Sequence, residues 1–242
     1  MTDPRLSVIE ERLKGIDEII AIASGKGGVG KSLVASVLAL TLARDGNEVG
    51  LLDLDFTGPS THIILGVKGI QPTEDRGVLP PVVHGLKYMS ITYYSGENPV
   101  PLRGVDTSNA LIELLSVTRW GALDFLVLDM PPGIGDATLD LLRLVRRIRF
   151  VVVTTPSQLA FETVRKLIAL LEELKVPVVG IVENMKTDSS DSIQRRALEI
   201  GTRFLGEIPY DPEVESAIGD VGKLMGTRFT KAVEQIRNEM HL

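Results

Sequence analysis

Cysteine is absent from all 242 residues of this chain. Disulfide bonds, thiolate metal sites and thiol catalysis are therefore excluded. Aromatic residues supply only 5% of the sequence, and no apolar run approaches the roughly 20 residues that a helix needs to cross a bilayer. Basic residues are outnumbered by acidic ones, 26 against 32, which gives a net charge of −6. This acidic balance provides no general attraction to nucleic acid or to an anionic membrane.

The N-terminus also lacks the basic start and apolar run of a secretion signal. Hydrophobic residues make up 44% of the chain and charged residues 24%, which is the balance of a soluble globular protein. We therefore expect a cytoplasmic protein. The length allows one large α/β domain or two small ones, and no stretch has the composition of an interdomain linker. We predict a single domain over residues 1–242.

Short β-branched runs alternate with longer helical patterns along the chain. Strands are predicted over residues 19–24, 49–55, 86–91, 125–130, 150–155, 178–183 and 204–208. Helices are predicted over residues 6–14, 31–44, 109–115, 137–146, 161–174, 191–201 and 227–240, and two segments, 66–85 and 186–192, are rich in loop residues. Several strands are apolar throughout, as in a parallel sheet that is covered on both faces. The pattern predicts an α/β fold: a three-layer, doubly wound, mostly parallel sheet with helices on both faces.

A glycine-rich loop follows the first predicted strand and precedes an amphipathic helix. It has the form G-x-x-x-x-G-K-S, and its residues are Gly25, Lys26, Gly27, Gly28, Val29, Gly30, Lys31 and Ser32. Glycines in this context let backbone N–H groups converge on a phosphate, and the dipole of the following helix favours an anion there. Lys31 is expected to meet the β- and γ-phosphates, and the Ser32 hydroxyl is expected to bind Mg²⁺. The loop therefore predicts a nucleotide phosphate site.

Carboxylates stand at the ends of two other predicted strands. Asp53 and Asp55 end the second strand, and Asp129 ends the run that starts at residue 125. Mg²⁺ requires oxygen ligands, and open α/β sheets bind ligands at the carboxyl ends of their strands. We therefore predict a magnesium site formed by Ser32 and these three carboxylates. Two prolines follow Asp129, at 131 and 132, so the loop there is stiff and suited to sensing the γ-phosphate.

The glycine-rich loop is similar to the deviant Walker A motif of the MinD/ParA class of P-loop ATPases, whose hallmark is an additional lysine, here Lys26. Within that class, the chain most resembles the Mrp-type nucleotide-binding proteins, which are known as iron–sulfur cluster carriers. The other matching stretches are residues 51–60, 102–104, 124–136 and 182–185. The resemblance spans about residues 17–225.

The resemblance implies an ATP-dependent homodimer in which two ATP molecules lie between two subunits. Lys26 would then reach the partner's phosphates and act in catalysis together with Lys31 and Asp55, and Asp55 would orient the attacking water. Asp129 would hold Mg²⁺ through water, with Asp53 supporting it.

For the base, the resemblance implies that Asn184 contacts adenine and that residues 208–211 close the base pocket, with Pro209 and Asp211 contributing. Implied partners are iron–sulfur apoproteins or a cysteine-bearing relative.

Two positions depart from the family pattern. Leu33 stands where the family commonly has a second hydroxyl residue that touches the α-phosphate, which predicts a reduced nucleotide affinity. Mrp-type carriers usually place a C-x-x-C pair shortly after the segment that corresponds to residues 183–185, but residues 186–191 contain no cysteine. Because iron–sulfur clusters are held by thiolates in nearly all cases, we do not expect this chain to ligate a cluster itself.

Other functions have weaker signals. A GTP-specific N-K-x-D motif would need one residue fewer between Asn184 and Asp188, so ATP is favoured. The basic cluster of Arg143, Arg146, Arg147 and Arg149 could contact DNA, but it also suits a solvated helix C-terminus. The last helix has an apolar face that could target a membrane, but its polar face is mixed in charge, which favours packing on the sheet.

Three hypotheses stay open: an Mrp-like ATPase in iron–sulfur protein maturation, a MinD/ParA-like spatial switch, and a nucleotide sensor that does not hydrolyse.

Overall fold

The computed structural model describes residues 3–95, 105–187 and 190–241. The motif at residues 102–104 and two positions of the loop at 186–192, namely 188 and 189, lie outside these ranges. The helices are α1 Arg5–Leu13, α2 Lys31–Arg44, α3 Thr61–Ile64, α4 Thr92–Ser95, α5 Val105–Val117, α6 Asp136–Leu144, α7 Gln158–Glu173, α8 Ser192–Glu199, α9 Glu213–Ala217, α10 Val221–Leu224 and α11 Arg228–Glu239. The strands are β1 Ile16–Ser24, β2 Val49–Asp53, β3 Thr73–Glu74, β4 Val78–Leu79, β5 Val82–Val83, β6 Leu86–Ser90, β7 Leu123–Asp129, β8 Ile148–Thr154, β9 Val178–Lys186 and β10 Phe204–Pro209.

Within the described residues, eight strands form one sheet in the order β10-β9-β8-β1-β7-β2-β6-β5. Neighbouring strands are parallel except at the edge, where β5 pairs with β6 in the antiparallel direction. All seven predicted strands belong to this sheet. Because β8 and β7 flank β1 on opposite sides, the loop after β1 lies at the centre of the sheet's carboxyl edge. This is where an open α/β sheet binds its ligand.

The sheet is buried on both faces by two separate hydrophobic clusters. Along β1, Ile19, Ala21 and Ala23 join the cluster under α1, α5, α6, α7 and α8, whereas Ile20 and Ile22 join the cluster under α2, α3, α9, α10 and α11. This alternation is the two-residue period of a strand whose two faces are both covered. The predicted three-layer, doubly wound α/β architecture is confirmed.

The helix after the glycine-rich loop differs from its prediction as an amphipathic helix. Every residue of α2 from Val34 to Leu42 is buried, because β1, β2 and β7 pack on its inner side while α11 packs against it from outside.

The predicted packing of the last helix is confirmed, since Phe229, Val233, Ile236 and Met240 are all at most 4% exposed. None of the described helices has the length and apolar character needed to cross a membrane.

Smaller differences concern element ends and loops. Strand β9 runs on to Lys186, three residues beyond its predicted end, because its pairing with β10 continues as far as Lys186 and Pro209. The Lys186 side chain is buried beside Glu183 and also lies near Glu207 of β10. The loop-rich segment 66–85 contains three strands of two residues each. Of these, β3 and β4 pair with one another, and Val78 of β4 also forms an isolated bridge with Thr118.

Candidate nucleotide and magnesium site

The glycine-rich loop occupies the turn between β1 and α2, and its conformation requires glycine at several positions. Gly28 and Gly30 have φ angles of 78° and 81°, in the left-handed region that side chains disfavour. A Cβ at Gly25 would lie 2.2 Å from the Thr163 hydroxyl, and one at Gly30 would lie 2.2 Å from the Asn184 amide nitrogen. The loop is therefore packed closely between α7 and β9, and it ends at the positive end of the α2 dipole.

A cleft of about 300 Å³ lies over this loop. Its walls include Lys26, Lys31, Ser32 and Asp55, and Pro132 of the stiff loop after β7 closes one side. Two larger clefts, of about 640 and 480 Å³, lie beside α1 and beside Trp120 and contain none of the predicted nucleotide or magnesium residues. The chemistry of the lining therefore selects the smaller cleft as the candidate site.

Lys31 is buried beneath this cleft and forms an ion pair with Asp129 Oδ1. Its ammonium group also lies 3.2 Å from the Ser32 hydroxyl. The other carboxylate oxygen of Asp129, Oδ2, is buried and has no hydrogen-bond partner among the described residues. Burial raises the pKa of Asp129 to about 6, against the opposing effect of the Lys31 charge.

Asp53 lies beside Asp129 because the two residues are register partners on the adjacent strands β2 and β7. The Asp53 side chain is fully buried, and both of its oxygens accept hydrogen bonds. Oδ1 accepts the Asp55 amide at 3.0 Å, and Oδ2 accepts the Thr61 amide at 3.2 Å and the Thr61 hydroxyl at 2.6 Å. Burial raises the pKa of Asp53, while these hydrogen bonds act to lower it. Because both of its oxygens already accept hydrogen bonds, the Asp53 carboxylate is suited to supporting the metal site indirectly.

Asp55 follows two residues later and reaches the cleft. Its Oδ1 accepts the Thr57 hydroxyl at 2.8 Å and the Gly58 amide at 3.0 Å. The side chain is therefore held by its own loop, facing the cleft that Lys31 and Ser32 also line.

The structure thus brings the predicted phosphate and magnesium residues together. The three residues predicted to bind the base lie in different surroundings. Asn184 is buried against the loop, and its amide donates to the Val29 carbonyl at 2.9 Å. Pro209 is exposed at the end of β10. Asp211 is buried and accepts three backbone amides, those of Glu213, Arg228 and Phe229, so its carboxylate caps two helices. Adenine contacts by these three residues stay predictions.

Sequence reasoning missed two residues of the site, Thr61 and Tyr88. The Tyr88 hydroxyl lies 2.9 Å from the Thr61 hydroxyl, which in turn contacts Asp53. The sequence carries no signal that these two residues meet, because they are 27 positions apart along the chain.

Where Mrp-type carriers usually place their cysteine pair, this protein has a group of ion pairs around Lys186. The Lys186 ammonium lies 2.9 Å from Glu183 and 3.5 Å from Glu207. Within the ranges that the structure describes, no group of three or more His, Cys, Asp or Glu residues is arranged to hold a metal ion. With no cysteine in the sequence, the residues present do not fit an iron–sulfur cluster.

Comparisons with known proteins agree with this geometry. The family model for ParA, described as NUBPL iron-transfer P-loop NTPase, matches residues 15–241. The iron–sulfur cluster carrier protein of Pseudomonas fragi is 44% identical over 227 residues, which cover 87% of this chain and 79% of that protein. The carrier protein of Aquifex aeolicus is 41% identical over 220 residues, which cover 84% of this chain but only 60% of that longer protein.

Two solved structures extend the comparison. The nucleotide-binding protein of Archaeoglobus fulgidus, solved with ADP, superposes with a TM-score of 0.76 at 34% identity and covers 90% of this chain and 92% of its own. MinD of Pyrococcus horikoshii, solved with Mg-ADP, has a TM-score of 0.69 at 20% identity, with 92% and 95% covered, and shows the shared fold. The extent of the family match and of the carrier-protein identity confirms the resemblance, and this chain belongs to the ParA family of NUBPL-type iron-transfer P-loop NTPases.

Proposed function

We propose that this protein binds Mg-ATP in the cleft over the glycine-rich loop and hydrolyses it to ADP and phosphate. The observation that carries the proposal is the convergence of Lys31, Ser32 and Asp129, with Asp129 Oδ2 buried and without a partner among the described residues. A buried carboxylate oxygen is costly to leave without a hydrogen bond or a cation, so its presence at this edge favours a ligand there.

The residues present fit magnesium. Ser32 and Asp129 offer hydroxyl and carboxylate oxygens, which are the donors that Mg²⁺ prefers. Mg²⁺ usually takes only one or two carboxylates and fills its other positions with water and phosphate oxygens, so a large acidic cluster is not required. When bound, the ion neutralises charge on the phosphate oxygens. Asp129 would hold it, with Asp53 behind, while Ser32 supplies the hydroxyl.

Lys31 has to change partners when the nucleotide binds. In the structure its ammonium is paired with Asp129. The β- and γ-phosphates carry more charge than one carboxylate and lie above a loop of backbone N–H groups, so they attract the ammonium more strongly. When the Lys31 ammonium moves to the phosphates, Asp129 Oδ1 becomes available to the metal ion. Nucleotide binding and completion of the metal site are therefore linked through this one side chain.

We further propose that ATP binding produces a homodimer in which Lys26 meets the partner's phosphates. Lys26 is exposed at the rim of the cleft and has no ion pair among the described residues. Light scattering with a non-hydrolysable ATP analogue should give a dimer mass for the wild type and a monomer mass for Lys26→Ala. Lys231→Ala, which removes an exposed charge from α11, should still dimerise. A Lys26→Ala protein that dimerises like the wild type and turns over at full rate would contradict this role.

For the coupled process, we propose iron–sulfur protein maturation without a cluster on this chain, as a partner of a cysteine-bearing relative. The carrier-protein names of the homologues support the process, and the missing thiolates support the indirect role. The same absence favours the alternative, a switch of MinD/ParA type that positions other components. Tagged Asp55→Asn protein, saturated with Mg-ATP, should capture iron–sulfur apoproteins or a cysteine-bearing relative from its own cell extract. Capture of DNA, membrane or a positioning partner instead would favour the switch.

A further inference from the structure

A buried chain of three side chains supports the floor of the cleft. Thr61, the first residue of α3, donates its hydroxyl to Asp53 Oδ2 at 2.6 Å and its amide to the same oxygen at 3.2 Å. The hydroxyl of Tyr88, on β6, lies 2.9 Å from the Thr61 hydroxyl. All three residues are 0% exposed, so no solvent competes for these bonds.

The direction of this chain follows from the hydrogens available. The Thr61 hydroxyl has one hydrogen, which the Asp53 carboxylate accepts, so the bond from Tyr88 must be donated by the tyrosine. Tyr88 remains protonated because burial and the nearby Asp53 charge both raise its pKa. The order is therefore Tyr88 to Thr61 to Asp53, with a carboxylate as the final acceptor.

This chain of hydrogen bonds holds together the two ends of the loop that carries Asp55. Asp53 stands at the start of this loop, where its Oδ1 accepts the Asp55 amide at 3.0 Å, and Thr61 stands at its end. Between them, Gly58 and Ser60 line the cleft together with Asp55. One buried carboxylate thus holds both ends of residues 54–60 and fixes where Asp55 points.

We propose that Thr61 is a positioning residue for ATP hydrolysis and that Tyr88 orients its hydroxyl. By holding residues 54–60 onto Asp53, Thr61 keeps Asp55 directed at the space above the γ-phosphate. Thr61 touches neither nucleotide nor water in this role and acts through Asp53 and the loop. This inference rests on the proposed hydrolysis, and its test separates the two.

The test compares Thr61→Val, Thr61→Ser and Tyr88→Phe with the wild type. Valine matches the shape of threonine but removes the donor, so kcat should fall roughly tenfold to a hundredfold, as expected when a reacting group is misplaced by about 1 Å. The KM for Mg-ATP should change less than about twofold, because the phosphate loop is untouched. Serine should restore most of kcat, and Tyr88→Phe should lower it less than valine does.

A matched control separates positioning from general loss of stability. Thr118 is also fully buried, and its hydroxyl donates to the Leu114 carbonyl at 2.6 Å, away from the cleft. Thr118→Val therefore makes the same chemical change elsewhere and should leave kcat and KM near the wild-type values.

Hydrogen exchange on nucleotide-free protein provides the readout that does not depend on activity. The amides of residues 54–58 and of Ser60 should exchange at least about tenfold faster in Thr61→Val than in the wild type or Thr118→Val. Unchanged exchange would overturn the loop-closing role even if the wild type hydrolyses ATP. Faster exchange with a wild-type kcat would overturn the catalytic consequence. A wild-type protein without any turnover would instead refute the proposed function, and the exchange result would still decide whether Thr61 holds the loop.

Discussion

Replacing Lys31 with alanine should reduce ATP turnover by roughly 10²–10³-fold or more, the scale found when one charge-stabilising donor is removed from a preorganised site. Lys31 is the buried cation that lies beside both Ser32 and Asp129 at the floor of the cleft. Without it, negative charge that develops on the transferred phosphoryl group loses its nearest ammonium. Turnover equal to the wild type would mean that the phosphate site has been assigned to the wrong loop.

The same substitution should also destabilise the nucleotide-free protein. Asp129 is 0% exposed, and Lys31 is its ion-pair partner. Breaking a buried pair by removing one member costs about 3 kcal/mol or more, because the remaining charge is left uncompensated. Loss of turnover could then be confused with loss of fold, so stability has to be measured on the same samples by urea denaturation.

The pH dependence of this loss has a definite sign. Burial raises the pKa of Asp129 in the folded protein to about 6, from its ordinary value of 3.8. Below that pH the folded protein holds a neutral carboxyl, and above it the charge must be buried. Removing Lys31 raises this pKa further, since the lysine charge lowers it. The stability deficit of Lys31→Ala should therefore be small near pH 5 and should grow as the pH rises through about 6.

The double variant Lys31→Ala with Asp129→Asn is the matched control. It removes both charges, so most of the lost stability should return at pH 8, while turnover stays as low as in the single variant. A double variant no more stable than the single one would contradict the explanation that the uncompensated charge of Asp129 destabilises Lys31→Ala. Recovery of turnover in the double variant would contradict the role of Lys31 at the phosphates.

The local parts of this site could be predicted from the sequence because each depends on a short stretch. Gly25 to Ser32 encodes a loop between a strand and a helix within eight residues, and a carboxylate at a strand end is visible as Asp53 or Asp129. A parallel sheet then brings strand ends to one edge, whatever the strand order. What could not be predicted is that β7 lies between β1 and β2, which makes Asp53 and Asp129 register partners.

Features that depend on distant segments were missed for the same physical reason. The outer side of α2 is buried by α11, about 190 residues later in the chain, so the periodicity of α2 alone suggested a solvent-facing side. Thr61 and Tyr88 are 27 positions apart and meet only because β6 pairs with β2. The carboxylate of Asp211 accepts two amides at the start of α11, a contact that the sequence does not display, and its adenine contact stays a prediction. Packing between elements decides these positions, and a single sequence does not display it.

Replacing Asp55 with asparagine should separate ATP binding from hydrolysis. Asparagine has the same shape as aspartate, and its carbonyl oxygen can still accept the Thr57 hydroxyl and the Gly58 amide that Asp55 Oδ1 accepts. The loop should therefore keep its position, and affinity for Mg-ATP should change less than about twofold. The missing negative charge no longer orients or accepts a proton from the attacking water, so hydrolysis should fall roughly 10²–10⁴-fold.

Thr57→Val provides the control for this substitution, because it removes one hydrogen bond to Asp55 while leaving the carboxylate in place. Phosphate release and binding of a fluorescent ATP analogue should be measured on both variants. The Asp55→Asn protein should bind without turning over, whereas the Thr57→Val protein should keep most of its turnover, since the Gly58 amide still holds Asp55. If both proteins hydrolyse ATP equally, the charge of Asp55 is not what activates the water. Asp129, the buried carboxylate whose Oδ2 has no hydrogen-bond partner among the described residues, would then have to supply that charge. The roles of metal binding and water activation would have to be reassigned.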